Sequence, residues 1–593
     1  MRSPCPLLLS LGATLLLSVA PLPLSAQDST RIVRIDTAPP PAPPTASAAL
    51  PMKQRNDVAE VVAGRRQQES FERTRRLGLR FYNGGADATC EERIGRLCYW
   101  NNNGDVPPPA ERADLKADRA ELLTVLSAAA AAAPDDDWTA GALVRYLSEA
   151  GQYADAVTAA RACRGSTWWC QGLLGLALHQ TSDHRGATAA FDAALAAMTP
   201  AQRCEWLDVS LWLDAAARPD YANATCEAKA QRNTLLFWLA QPLAILDAND
   251  LRNELLARRV ISRVHAQGFN PYDMSWGSDM DESQYRYGWP VAWSIQNGGV
   301  ADPRPVSVIG HEPTPSYDFM PESRVVGAPL SASQQDWDLA RRKARMRYAP
   351  RYASGFKPAP HQLARFRRND STLVVGSYRL VRELEMGRGP YRAGLVLATS
   401  PTNVTRLVRD SAPAAGGFIA RVPAGGALAS LEVWSPTSRR ATRVRSSVQP
   451  LPADAKISDL LFTSKSDQTG RPSLEWAASA AFGAPDIPAG TTLGLYWESY
   501  LPASPGAPAR VSIEATRLNS SGLSRFLGGL RLTKAMRPVS VQFADQGRPD
   551  GAPGRSISLT WPEVPAGTYR LTLAITSGSV TDSTSTTVRI LER

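Results

Sequence analysis

Between Phe269 and Trp293 the chain crowds Phe269, Tyr272, Trp276, Tyr285, Tyr287, Trp289 and Trp293 among Asp273, Asp279, Asp281 and Glu282. Aromatic faces beside carboxylates suit a sugar, since rings stack on its apolar faces and acids bond its hydroxyls. The same rings also contribute heavily to any core or interface. The segment is therefore a binding candidate resting on Tyr272, Trp276, Asp279, Asp281, Glu282, Trp289 and Trp293. Glycosidase chemistry needs two carboxyls at a spatial rather than a sequence spacing, so this segment is also where such a pair would be sought. The run Asp279-Met280-Asp281-Glu282 lacks the oxygen spacing and glycine of a calcium hand, which argues against a metal loop.

A second candidate is basic. Arg341 to Arg368 holds ten basic residues and no acidic one, with Tyr348, Tyr352, Phe356 and Phe366 interleaved. Its densest part is Arg341, Arg342, Lys343, Arg345, Arg347 and Arg351. Basic and aromatic interleaving suits phosphates and stacked bases, yet an exported protein rarely meets nucleic acid. Another envelope protein or an anionic envelope polymer is the expected partner. The formal charge of +10 agrees with an acidic partner without choosing one.

Export is read from the N-terminus. Met1-Arg2 is followed by an apolar run from Leu7 to Ala20, Pro21 and Pro23 break it, and Ala26 offers a cleavage site. This reads as a secretory signal peptide over 1–26, too short and wrongly flanked for a spanning helix. No later apolar run is long enough to span a membrane, so the expected location is secreted or periplasmic. Six further cysteines fall in neighbouring pairs, Cys90 and Cys98, Cys163 and Cys170, Cys204 and Cys226. Six cysteines permit 15 connectivities, and in an exported chain disulfides are favoured over metal binding, because no C-x-x-C pair is present.

Catalytic motifs are missing. The five histidines are His179, His184, His265, His311 and His361, and no H-E-x-x-H, G-x-S-x-G or phosphate-cradling loop accompanies them. His265 is expected on a polar helix face, and His311-Glu312 in a proline-rich loop is the one histidine-acid neighbour worth testing. No cofactor is implied.

Elements must position these residues. Residues 27–70 begin with a proline- and alanine-rich run, which predicts a flexible spacer. Helical periodicity extends over 71–300. It predicts a helix ending near Pro134, hairpins over Trp138–Cys163 and Trp168–Met198, and a helix running to Gly268 that Asp247 or Asp250 caps. Pro242 should end the preceding helix. A proline-rich, then basic, linker is expected over 301–370. Alternation of period two then predicts β units over 371–450 and 451–593, with [Val/Ile]-Pro-Ala-Gly turns at 422–425, 487–490 and 564–567. The expected fold class is thus multidomain α + β, a helical domain followed by two antiparallel β-sandwich domains.

Two resemblances sharpen this. Gly175, Leu178, Ala187, Phe191 and Ala194, with Leu143, Gly151, Tyr153 and Ala156 before them, resemble the small and aromatic positions of tetratricopeptide repeats. That likeness implies paired helices presenting a docking surface. Asn249-Asp250-Leu251-Arg252-Asn253-Glu254 and Tyr287-Gly288-Trp289-Pro290 resemble secreted proteins carrying the GWxTD domain, but Gly288-Trp289 is followed by Pro290-Val291 and the family's Thr-Asp is absent. No functional residue follows from it. The expected function is a non-enzymatic envelope scaffold that docks a partner on its helical repeats. The alternative is a carbohydrate-binding or carbohydrate-active protein that uses 269–293.

Overall fold

The computed structural model describes residues 52–80, 92–100, 110–296, 307–311, 316–341, 344–467, 469–483, 486–501, 508–518, 539–546, 551–561 and 564–591. The expected signal peptide, most of the expected spacer, Cys90, Glu312, Arg342 and Lys343 lie outside these. Helices dominate the N-terminal half and sheets the C-terminal half, a mixed α + β multidomain chain.

Helix α1 (Met52–Leu77) begins inside the stretch expected as spacer. Its charged residues hide a narrow stripe in which Gln68 and Phe71 are buried, and α2 (Ala113–Ala132) packs along it. The two hairpins form as expected, α3 (Asp137–Glu149) with α4 (Tyr153–Ala162), and α5 (Thr167–Gln180) with α6 (His184–Ala197). Asp136 and Asp183 cap α3 and α6 by accepting from the backbone N–H of Thr139 and Gly186. Gly151 turns between α3 and α4 at φ +75°, a conformation glycine adopts without strain. A Cβ on Gly175 would meet the Phe191 ring at 2.5 Å, so the absence of a side chain at Gly175 lets α5 and α6 close on that ring.

Beyond them lie α7 (Pro200–Trp206), α8 (Arg218–Ala222), α9 (Cys226–Ala240), α10 (Asp250–Ala266) and α11 (Ser278–Tyr287). Helix α9 stops two residues before Pro242. The cap of α10 is Asn249, accepting from Arg252 N–H, rather than Asp247 or Asp250. Asp250 is the first helical residue and is wholly buried. Helix α10 lies along α5, and Trp169, Leu173, Phe191, Val260 and Val264 share one core.

A small sheet interrupts the region expected to be all helical. Strands β1 (Glu92–Ile94), β2 (Leu97–Trp100), β3 (Ala292–Gln296) and β4 (Ser307–His311) associate in the order β1-β2-β4-β3. Each is short, and β2 pairs with a strand far along the chain, Cys98 opposite Ile309, so local periodicity does not reveal it. The stretch expected as a linker is also built into the protein. Phe319, Met346, Tyr348 and Phe356 join a core with Leu243, Ile245, Val396 and Ala441.

Strands β5 (Gly355–Lys357), β6 (His361–Arg368), β7 (Ser371–Arg379), β8 (Tyr391–Ala398), β9 (Val404–Ala412), β10 (Ala415–Val422), β11 (Ala427–Ser435) and β12 (Arg440–Val448) make two sheets, β10-β7-β6 and β5-β12-β11-β8-β9. Val374, Leu395, Phe418 and Val433 fill the core between them. Strands β13 (Leu461–Thr463), β14 (Asp486–Pro488), β15 (Thr492–Glu498), β16 (Ala509–Arg517), β17 (Val539–Asp545), β18 (Gly554–Thr560), β19 (Gly567–Ser577) and β20 (Val580–Leu591) make β13-β15-β18 and β14-β20-β19-β16-β17, around Leu495, Trp497, Ile513 and Leu573.

The first β unit meets the helices through buried charge. Glu432 Oε2 accepts from Ile245 N–H at 3.0 Å. Arg445 donates to Glu432 at 3.1 Å and to the Leu239 carbonyl at 2.8 Å. Arg443, opposite Glu432 across β11–β12, reaches the Gln241 carbonyl at 3.3 Å.

Candidate functional site

Helices α3, α5 and α10 leave a cavity of about 600 Å³, closed on other sides by residues 284–293 and 347–351. Each helix contributes through its own periodicity. Arg145 and Glu149 stand one turn apart on α3, as do Glu254 and Arg258 on α10, so each pair shares one face. These charges sit on otherwise apolar stripes, beside Leu176 of α5 and Ala257 and Ile261 of α10.

One end of the cavity is an ion-pair network. Arg145 reaches Glu72 at 2.5 Å and Glu149 at 2.8 Å, while Arg75 reaches Glu149 at 2.5 Å. The Tyr146 hydroxyl donates to Glu72 at 2.6 Å. Burial pushes the Glu149 carboxyl up, but Arg75 and Arg145 overcome it and hold it at about 2. At the other end Arg258 bonds Glu254 at 2.5 Å and donates to the carbonyls of Tyr285, Arg286 and Arg347 at 2.9, 2.8 and 2.6 Å. One guanidinium thus ties α10 to the end of α11 and to the basic segment.

His179 Nε2 lies 2.9 Å from Glu254 Oε2. Burial raises Glu254, and Arg258 with His179 brings it down to about 2. The His184 ring stands 5.4 Å from that of His179, and burial first, then His179, lowers it to about 4. Nearby, the Tyr352 hydroxyl donates to Asp250 at 3.0 Å. Burial lifts that carboxyl to about 6.

The expected aromatic segment divides. Trp289 and Trp293 line the cavity. Tyr272, Trp276, Asp279, Asp281 and Glu282 do not line it. Tyr272 is buried, and Trp276 donates to Asp281 at 2.7 Å, an oxygen that also accepts from Ser262. Asp279 takes both guanidinium donors of Arg96 at 2.8 Å, which hold its carboxyl well below the usual range. Glu282 pairs with Arg286 at 3.1 Å and Arg345 at 2.9 Å. The candidate carboxylates therefore serve internal partners.

The expected basic patch divides too. Arg341 pairs with Asp318 and Glu322, and Arg345 with Glu282. Arg347 and Arg351 reach the cavity, where Arg351 stands 4.6 Å over the Tyr153 ring. Two of the cysteine pairs are formed, Cys163–Cys170 and Cys204–Cys226, and Cys98 is disulfide-bonded.

Two histidine expectations are corrected. His265 is wholly buried, its ring 3.4 Å from that of Trp289, because α10 is covered on that side by the 276–289 segment. His311 ends strand β4 with Nε2 at 2.5 Å from Ser294 Oγ, where burial lowers it to about 4. His179, Glu254, Arg258, Arg145 and Tyr153 were not singled out as a site by the sequence. The signal that would find them is a charged pair at four-residue spacing on an apolar helical face. Among the described residues no group of three or more His, Cys, Asp or Glu could hold a metal ion, and no helix is long and apolar enough to cross a membrane.

No family model matches the sequence, and no curated protein matches it. Among solved structures, the FN1–FN3 domains of chicken CNTN1 are similar over 40% of this chain and 69% of that one, at 9% identity and a TM-score of 0.13.

Proposed function

We propose that this chain is an exported, non-catalytic interaction protein of the bacterial cell envelope, docking a partner in the cavity beside its helical repeats. The observation that carries this reading is the cavity's make-up. Six arginines and three glutamates line it, together with Trp289, Trp293 and Tyr153. A pocket of this volume, with aromatic faces and convergent polar groups, has the character of a binding site.

Tetratricopeptide-like pairing of α3–α4 and α5–α6 is supported by the Gly175–Phe191 fit. Two pairs do not close a core alone, and α10 supplies the further cover. The disulfides favour an oxidising compartment, outside the cell or in the periplasm. Each β unit has two sheets around one apolar cluster, which supports a sandwich reading and a role as spacer or adhesive module. The partner is another envelope protein or an anionic envelope polymer. The carbohydrate-active alternative loses its proposed acids, because Asp279, Asp281 and Glu282 are held by Arg96, Ser262, Trp276, Arg286 and Arg345.

The test is a pull-down from envelope extracts with the full chain. Recovery of a specific protein is the expected result. Clear retention of glycan with no specific protein would overturn the reading.

A further inference from the structure

We infer that the cavity takes an extended, carboxylate-bearing peptide segment of a partner protein, its acid on Arg351 and its backbone against Trp289 and His184. This rests on the interaction-protein reading above and chooses between its two partner classes.

Charge comes first. The three glutamates of the cavity are already matched, Glu111 by Arg119, Glu149 by Arg145 and Glu254 by Arg258. Arg351 and Arg439 also line it, both exposed, and neither has a carboxylate partner among the described residues. Arg351 is held over the Tyr153 ring. A guanidinium stacked on a ring keeps its in-plane N–H donors for a carboxylate, which it grips at two points.

Unpartnered atoms supply the second, independent observation. His179 is 6% exposed and its Nδ1 has no hydrogen-bond partner. Its Nε2 faces the Glu254 carboxylate at 2.9 Å. An ionised carboxylate only accepts, so Nε2 donates to it. The neighbouring His184 has both ring nitrogens buried without a partner, and a neutral imidazole offers one donor and one acceptor. Trp289 Nε1 is likewise buried without a partner, and an indole N–H only donates. Gln284 Nε2 and Trp293 Nε1 in the same lining also lack partners, so the cavity leaves several donors and the His184 acceptor unmet. A buried polar group of this kind calls for a partner. A peptide unit brings both an N–H and a C=O. A phosphate polymer brings acceptors alone and would leave the acceptor nitrogen of His184 unmet, with Glu149 and Glu254 repelling any charge beyond the first. The cavity's volume of about 600 Å³ fits a short chain segment.

The experiment uses immobilised full chain and a pool of end-blocked hexapeptides randomised at every position, with the retained fraction sequenced by mass spectrometry. Expected is an enrichment of Asp and Glu of about tenfold or more, the scale of one charge-assisted contact. Arg351→Ala should abolish that enrichment, whereas Arg185→Ala, an exposed arginine outside the cavity, should retain it. Absence of acidic enrichment, or equal enrichment on Arg351→Ala, overturns the inference. So does displacement of the bound pool by inorganic polyphosphate at lower concentration than by the acidic peptides themselves, which would assign the cavity to a polymer. A specific partner recovered from extracts equally by wild type and Arg351→Ala would sink this inference while leaving the interaction-protein reading intact.

Discussion

Two clusters of buried arginine and glutamate serve opposite ends. Around the cavity, Arg75, Arg145, Glu72 and Glu149 pair with one another beside open space, and the Glu149 side chain keeps 9% of its exposure. Between α9–α10 and the first β unit, Glu432 is wholly buried and Arg443 and Arg445 nearly so. Every oxygen of Glu432 is engaged there, by Ile245 N–H, the Ser430 hydroxyl and Arg445. The same residue types make a wall in one place and a weld in the other. The difference is the dielectric: beside a cavity water can replace a lost partner, whereas inside a packed junction nothing can.

The largest effect should come from breaking the weld. Glu432→Gln keeps the shape but removes the carboxylate that Arg445 bonds and that stands opposite Arg443, both of them buried. Removal of one partner of a buried pair costs about 3–5 kcal/mol, so urea denaturation should lose roughly that much stability. A loss under about 1 kcal/mol would refute the distinction drawn between the clusters.

Asp250 lies between the two clusters and gives a signed pH test. Its folded pKa of about 6 stands above the ordinary aspartate value of 3.8. A raised acid favours the folded state when protonated, so its contribution improves as pH falls from about 6 towards 4 and is worst above 6. A pKa difference of that size corresponds to roughly 3 kcal/mol. His184, lowered to about 4, acts in the opposite sense, losing stability as pH falls from 6.5 towards 4. In Asp250→Asn only the histidine contribution remains at these two sites. The variant should therefore fare better relative to wild type at pH 7 than at pH 4.5, by up to about 2–3 kcal/mol. Equal differences at the two pH values would show that Asp250 is not held in its raised state.

The wall should be more forgiving. Glu149→Gln leaves Arg75 and Arg145 still paired with Glu72, and the cavity admits solvent to what is unpaired. A loss of about 1–2 kcal/mol is expected in the same denaturation assay. A loss matching that of Glu432→Gln would erase the contrast.

Much of this architecture is written in local pattern. The α3–α4 and α5–α6 hairpins follow from helical spacing broken at Gly151 and before Asp183, and β8 occupies Tyr391–Ala398 as alternation predicts. What local pattern misses is pairing at long range. Strand β2 finds β4 through Cys98 and Ile309, and the basic stretch after Arg341 enters a core because Tyr348 and Phe356 meet Phe319 and Val396. The site suffers most from this. Composition points to Trp289, Trp293 and Arg351, which do reach the cavity, but also to Asp279 and Glu282, whose partners Arg96 and Arg345 are distant in sequence. His179 meets Glu254 across 75 residues, and no short window of sequence contains both.

A third setting completes the series at its small end. Arg185 and Asp247 form an ion pair at 2.8 Å with side chains 80% and 61% exposed. The geometry is as good as that of the buried pairs, so contact distance alone would predict an equal cost. Water already solvates both ions, however, and holding two long side chains in register costs entropy, so such pairs are worth about 0–1 kcal/mol. Arg185→Ala should therefore shift the urea midpoint by little or nothing, and added salt should make even that shift vanish. If Arg185→Ala cost as much as Glu149→Gln, burial would not be what grades these pairs, and the contrast between wall and weld would need another cause.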